Sequence, residues 1–347
     1  MINELQNPKT LESELVYLIG GHIFFQTVNT AVKFKLFDLL DSKGGLTENQ
    51  IASHLGIQSR PARILLLGLT TLKLLKKDYD LYANTELAQR FFTTNSSENL
   101  IAVMEWQSEI NYHALGHLHE SMKSGKNEGL IEFCGSEKTL YERLSHQPHL
   151  ENIFQEAMED ISKQTNKDLA NFVDFREVKN LVDIGGGNAS NIISLAQKYP
   201  LLRATVFDRP SVCKIAQQNI SDHRLEDRCF VLPGNCFTSD FPIEVDAIIF
   251  CHFLTIWSEE KNQYLLNKAY QSLPVGGKVF IYNMMQNNSK DGPLTAAMGS
   301  PYFLSLATSE GMLYTWNEYV DWMHMAGFKE IKTIKLPKDH GVIIGTK

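Results

Sequence analysis

"KNLVDIGGGNASNIISLAQKYPLLRATVFD", residues 179–208, holds an apolar run, a glycine turn, an amphipathic segment and a second apolar run closed by an acid. "LVDI" has the length of a buried strand, "NIISLAQKY" repeats its apolar residues at helical spacing, and "RATVFD" reads as a strand again. Strand, turn, helix and strand make a crossover unit, which predicts an α/β fold with a parallel sheet. Gly185 and Gly187 let the backbone turn tightly and approach a ligand with no Cβ in the way, and the helix that follows offers free N–H groups at its start. Twenty-one residues beyond Gly187, Asp208 ends the next strand, where a carboxylate can accept both hydroxyls of a ribose.

A nicotinamide dinucleotide fits the same pattern of glycines and acid. Asp183, two residues before Gly185, tips the reading toward S-adenosylmethionine (SAM), because an acid there suits an ammonium and sits badly beside a pyrophosphate. A P-loop is excluded, since no Gly-Lys-Ser/Thr follows. The alternation continues through "CFVLPG", "VDAIIFCHF", "GKVFIYNMM", "KEIKTIKL" and "GVIIGTK", with the last two close enough together to predict a terminal antiparallel hairpin.

Upstream, residues 12–100 read as helices with a short hairpin. Thr47 with Gln50 at its third position caps one helix, Ser59 and Pro61 open "SRPARILLLGLTTLKLLKK", and "DYDLYANTELAQRFF" reads as a small wing followed by a helix. That is a winged-helix pattern. DNA binding requires several basic and amide side chains along one exposed helix face, whereas this helix offers Arg60 and Arg63 and then turns to Leu and Ile, so it is expected to be buried and to serve a structural or dimerising role. Residues 101–170 are helical; His113 and His117 stand four apart on one face, but no third metal ligand accompanies them. The expected division is a winged-helix-like domain over 1–100 and a helical linker with a Rossmann-like domain over 101–347.

The apolar and charged fractions, 43% and 21% of 347 residues, are ordinary for a globular protein, and a net charge of −7 argues against broad nucleic-acid affinity. The N-terminus lacks the basic segment and small-residue cleavage site of a signal peptide, and no uninterrupted apolar run reaches the roughly 18 residues of a membrane span. Five cysteines without a CxxC pair suit reduced thiols in a cytoplasm.

The winged-helix segment with "FQEAM", "LVDIGGG", "YPLLRATVFDRPSV", "PGNCF", "DAIIFCHFLTIWSEE", "SLPVGGKVFI" and "AGFKEI" resembles, over nearly the whole chain, the SAM-dependent small-molecule O-methyltransferases of the caffeate and hydroxyindole type. The resemblance implies that Gly185 and Gly187 line SAM, that Asp208 with Arg209 beside it holds the ribose, and that Asn235 and Cys236 lie at the adenine. Asn235 stands where the family has an aspartate; its amide oxygen can still accept a hydrogen bond. By the same matching, Trp257 packs on the adenine, Ser162 lies near the methionine end and Cys251 belongs to the cofactor wall. Met158, Phe154, Trp106, His113, Leu304 and Thr308 would form the walls around the acceptor, an apolar clamp for a planar or fatty group. A homodimer through the N-terminal helices is implied as well.

One part of the resemblance fails. The family pattern over 246–257 resembles Asp-Ala-Ile-Ile-Leu-Lys-His-Val-Leu-His-Asp-Trp, whose second histidine takes the proton of the acceptor hydroxyl. Here Thr255 holds that position and Ile256 the following aspartate, while His252 matches the first histidine. The two supporting glutamates fall at Asn283 and at or beside Leu313. A phenol with pKa about 10 is ionised in about one molecule per thousand at pH 7, a cost of roughly 4 kcal/mol that a threonine cannot meet. A carbon nucleophile loses its proton after attack and a thioether has none, so either suits the site. The alternatives are O-methylation with His252 as base, a rearrangement or cyclisation assisted by bound SAM, and a winged-helix regulator.

Overall fold

In the computed structural model, which describes residues 8–347, the chain divides into two compact units, one ending at Ser108 and the other beginning at Glu109. The first seven residues, part of the N-terminal segment read above for a signal, lie outside the described residues.

The first unit contains α1 (Pro8–Lys33), α2 (Leu36–Lys43), β1 (Leu46–Thr47), α3 (Glu48–Leu55), α4 (Ser59–Thr71), β2 (Leu75–Asp78), β3 (Leu81–Asn84), α5 (Glu86–Phe91) and α6 (Ile101–Trp106). Its strands form a small antiparallel sheet in the order β1-β3-β2, the wing of the expected pattern. The Thr47–Gln50 capping box forms as the sequence predicts, with the Gln50 backbone N–H donating to Thr47 Oγ1 and the Thr47 backbone N–H donating to Gln50 Oε1. Leu36, Phe37, Ile51, Leu66 and Leu69 close the core.

One expectation needs correction here. α4 is buried on one face only: Ala62, Leu65, Leu66 and Leu69 point inward, while Ile64 and Leu67 are 61% and 68% exposed. The uninterrupted "ILLLGL" run hid this, because it carries apolar side chains all round the helix. No unbroken apolar run reaches the length of a membrane span, and Glu14–Lys33 of α1 is long and apolar enough to cross a membrane by length and overall composition alone.

The second unit opens with short helices α7 (Tyr112–Ala114), α8 (Leu118–Ser124) and α9 (Leu140–Leu144) and the long α10 (Pro148–Phe172). An alternating series follows: β4 (Asn180–Ile184), α11 (Ser190–Lys198), β5 (Arg203–Asp208), α12 (Pro210–Asp222), β6 (Cys229–Pro233), β7 (Ala247–Cys251), α13 (Glu259–Ser272), β8 (Lys278–Met284), α14 (Leu294–Tyr302), α15 (Trp316–Ala326), β9 (Lys329–Lys335) and β10 (His340–Thr346). The seven strands run in the order β6-β5-β4-β7-β8-β10-β9; the first five are parallel, and β10 is antiparallel to both its neighbours. All seven strand-like runs of the sequence are strands, and the terminal hairpin is present with β10 inserted beside β8.

The order reverses beside β4, so the carboxyl ends of β4, β5 and β7 open onto a crevice, the place where open α/β sheets bind ligands. Two apolar cores cover the sheet, one under α11 and α12 and one under α13 and α15.

Candidate active site

A cavity of about 480 Å3 opens at those carboxyl ends. Its floor is the turn after β4. Gly185 has φ 73° and Gly187 φ 56°, conformations that favour glycine, and a Cβ at Gly185 would lie 2.2 Å from the Phe253 ring. The Gly187 N–H donates to Asp208 Oδ2 over 3.0 Å, which ties that oxygen to the turn, and the Arg209 N–H donates to Oδ1 over 2.7 Å. Burial pushes the Asp208 carboxyl above its ordinary range, partly offset by those N–H groups.

Asp183 lies beneath the turn, fully buried. Asn191 donates to its Oδ2 over 3.2 Å, and the Cys251 thiol also hydrogen-bonds to this carboxyl. Burial, with repulsion from Asp208 adding to it, pushes this carboxyl up to about 7 despite the Asn191 bond. Asp208 lines the cavity and would meet the ribose hydroxyls of SAM, whereas Asp183, expected to meet the ammonium, lies beneath the turn and does not line the cavity, so its charge would act on the ligand only through the glycine turn.

The walls match the sequence reading in large part. Ser162, Arg209, Asn235, Cys236, Cys251, Trp257 and His252 line the cavity, as do Phe154 and Met158, which stand one helical turn apart on α10 with Ser162 four residues further along. The Asn235 amide oxygen accepts the Phe237 N–H over 2.9 Å and holds the loop after β6 in shape. Burial pushes the Cys236 thiol up to about 11 and Cys251 well above its ordinary value, so neither is a thiolate near neutrality.

Other expected residues of the second unit do not line the cavity. Thr255 is 2% exposed, and its hydroxyl donates to the His252 carbonyl over 3.2 Å. Asn283, fully buried, donates to the Tyr319 hydroxyl over 3.1 Å, and Leu313 is buried as well, 4% exposed. Thr308 is turned away because its hydroxyl donates to the Ile256 carbonyl, and Leu304 is half-buried in a helical turn outside the lining. His113 is exposed, since Ala114 takes the buried side of the short α7; it packs edge-on to Tyr112. Trp106 ends α6 and belongs to the first unit. His117 pairs with Glu132 rather than with His113, and no cluster able to hold a metal occurs among the described residues.

His252 lines the cavity but makes a poor base. It has φ 51°, its ring packs edge-on to Tyr282 and His340 at 4.9 and 5.1 Å, and its Nε2 is buried with no partner. Burial, reinforced by His340, draws its pKa down to about 3. Sequence reading missed Thr139, Tyr141 and Glu142 around the start of α9, which also line the cavity. The only local signal was a Thr-x-x-Glu start to a helix, and that says nothing of where the helix packs.

A glycine turn over a buried acid, a second acid at the end of the next strand and an apolar wall at the sheet's switch point fit a SAM-binding α/β methyltransferase. The chain belongs to the O-methyltransferase family: its O-methyltransferase domain matches residues 115–329, and the O-methyltransferase dimerisation domain matches residues 16–94. It is a SAM-dependent enzyme acting on a small molecule. It is 36% identical to the L-tyrosine C(3)-methyltransferase of Streptomyces lavendulae over 96% of this chain and 92% of the relative, and 30% identical to the 3-hydroxy-5-methyl-1-naphthoate 3-O-methyltransferase of Streptomyces sahachiroi over 93% and 91%. Among solved structures, the SAM-dependent methyltransferase SibL in its apo form superposes with a TM-score of 0.87 at 34% identity, over 96% of this chain and 99% of that one.

Proposed function

We propose that this enzyme methylates a ring carbon of a phenolic amino acid, L-tyrosine or a close analogue, ortho to its hydroxyl. The observation that carries the reading is the fate of the acid–base group. Thr255, Asn283 and Leu313 are all buried outside the cavity, and the one histidine on its wall has a buried Nε2 and a strongly depressed proton affinity. O-methylation of a phenol needs a base before or during attack, and such a base commonly gives about 10²- to 10⁴-fold.

Bound SAM supplies a methyl group made electrophilic by the sulfonium charge. A ring carbon ortho to a hydroxyl attacks with the ring's own electrons and passes its proton to water only after the carbon–carbon bond has formed. The protein has to align the two reactants and keep them together. Phe154 and Met158 offer the flat apolar contact for such a ring. The likeness to an L-tyrosine C(3)-methyltransferase supports the amino acid and the carbon, while the likeness to a naphthoate O-methyltransferase makes oxygen the competing outcome. The dimerisation match supports a homodimer, and five free cysteines suit a reducing cytoplasm.

The test is incubation with methyl-labelled SAM and L-tyrosine deuterated at the positions ortho to the hydroxyl. The expected product carries the label on a ring carbon and has lost one ring deuterium. A methoxy product retaining both deuterons overturns the assignment.

A further inference from the structure

The loop after β6 forms one wall of the cavity through Asn235, Cys236 and Phe237. Its internal bonds, from the Thr238 and Ser239 N–H groups to the Asn235 carbonyl and from the Asn235 N–H to Ser239 Oγ, fix its shape but not its position. Position comes from α13. Lys268 Nζ donates to the Cys236 carbonyl over 2.9 Å and to the Ser239 carbonyl, and it lies 4.6 Å from the centre of the Phe241 ring. Tyr264, four residues earlier on the same face, donates its hydroxyl to the Phe237 carbonyl over 3.1 Å. A turn further back, Lys261 sits over the rings of Phe237 and Trp257, at 5.4 and 4.9 Å, and pairs with Glu310. Neither donor bond of Lys268 goes to a carboxylate.

We propose that Lys268, with Tyr264, is a positioning residue for SAM: by gripping three carbonyls of the loop from behind, it sets the wall against which the nucleoside rests without touching the ligand. The charge is used where it is worth most, since a half-buried ammonium bonded to carbonyls is held by charge-assisted bonds and by aromatic faces. The loop abuts Asp208 directly, because the Gly234 N–H donates to the Asp208 carbonyl and a Cβ at Gly234 would lie 2.4 Å from Phe207. A shift of the loop therefore disturbs the nucleoside end of the site and leaves the reacting end, at β7 and α10, in place. The inference concerns cofactor binding and holds whichever acceptor atom is methylated.

The experiment compares Lys268→Met and Lys268→Arg with the parent enzyme, measuring S-adenosylhomocysteine binding by calorimetry and steady-state turnover. Losing the charged bonds in Lys268→Met is expected to raise the dissociation constant and the KM for SAM by about tenfold, with kcat at saturating SAM within about twofold. Lys268→Arg, which keeps a cation with several donors, recovers most of the affinity. Should Lys268→Met fail to fold by circular dichroism, Tyr264→Phe removes one hydroxyl from an exposed ring and is expected to raise the same constants by about threefold. Unchanged affinity in a folded variant, or a fall in kcat with KM unchanged, overturns the proposal.

Discussion

His252 and Asp183 are both buried and titratable, yet their environments push them to opposite uses. His252 is held neutral by burial and by His340, with its pKa near 3, whereas an unfolded imidazole protonates near 6.5. Between those values the unfolded chain carries the extra proton, so His252 lowers stability as pH falls from 6.5 toward 3 and has no effect above that window. A group with so little proton affinity is no base at neutral pH. His252→Asn, chosen because Asn tolerates the left-handed backbone at this site, is expected to keep kcat within about tenfold of the parent, against the 10²- to 10⁴-fold loss that follows removal of a general base. Turnover assays over a pH series check this, and a base would also betray itself by an inflection that disappears in the variant. Asp183 behaves differently, because its carboxyl titrates near 7 and only the ionised form attracts an ammonium. SAM affinity should therefore rise as pH increases through 7, with proton release on binding below it. Asp183→Asn should weaken binding by about tenfold and flatten the dependence, both readable by calorimetry in buffers of different ionisation heat. The identities of these groups were plain in the sequence, as were the substitutions at Thr255 and Asn283. What could not be read was that Thr255 and Asn283 spend their hydrogen bonds on a carbonyl and a tyrosine inside the core, a matter of tertiary packing.

Among the elements, the β4 turn was the most legible, because two requirements coincide there: a strand must end and a backbone must approach a ligand. Gly185 meets both. Gly185→Ala places a methyl against the Phe253 ring at 2.2 Å and forces a left-handed φ on a residue that disfavours it. Gly187→Ala has the same φ problem but open space around its Cβ. SAM binding is thus expected to fall by more than tenfold in the first variant and by several-fold less in the second, a ranking set by strain plus steric displacement rather than by strain alone; calorimetry on the two variants checks it. The strands were legible for a related reason, since a buried parallel strand is a short apolar run between turn signals. The start of α9 was not, because nothing local in "TLYERL" says that Tyr141 will face a cavity built by distant strands. Nor was the outward face of α4, where the stretch 64–69 has no polar side chain to separate inside from outside.

For the whole molecule, the largest departure from an ordinary soluble surface is on α1. Leu15, Val16, Tyr17, Leu18, Ile19 and Ile23 are each between 47% and 81% exposed, and α4 adds Ile64 and Leu67 within the same unit. α1 and α4 approach closely where Gly68 meets Thr27, since a Cβ at Gly68 would lie 2.8 Å from the Thr27 methyl. Exposed apolar residues gathered along one helix in this way mark a partner or a membrane. The dimerisation-domain match over residues 16–94 takes in all of these but Leu15 and favours a second copy of the chain. Burying a leucine is worth about 1.5 to 3 kcal/mol, and a buried unpaired carboxylate costs more than that, so Leu18→Glu should raise the dimer dissociation constant by at least about a hundredfold. Sedimentation velocity over a concentration series reads the change directly: the parent should stay dimeric at concentrations where the variant is monomeric. If α1 instead inserted into lipid, the parent would float with phospholipid vesicles and Leu18→Glu would abolish flotation without altering sedimentation in their absence, which separates the two occupants of the same surface.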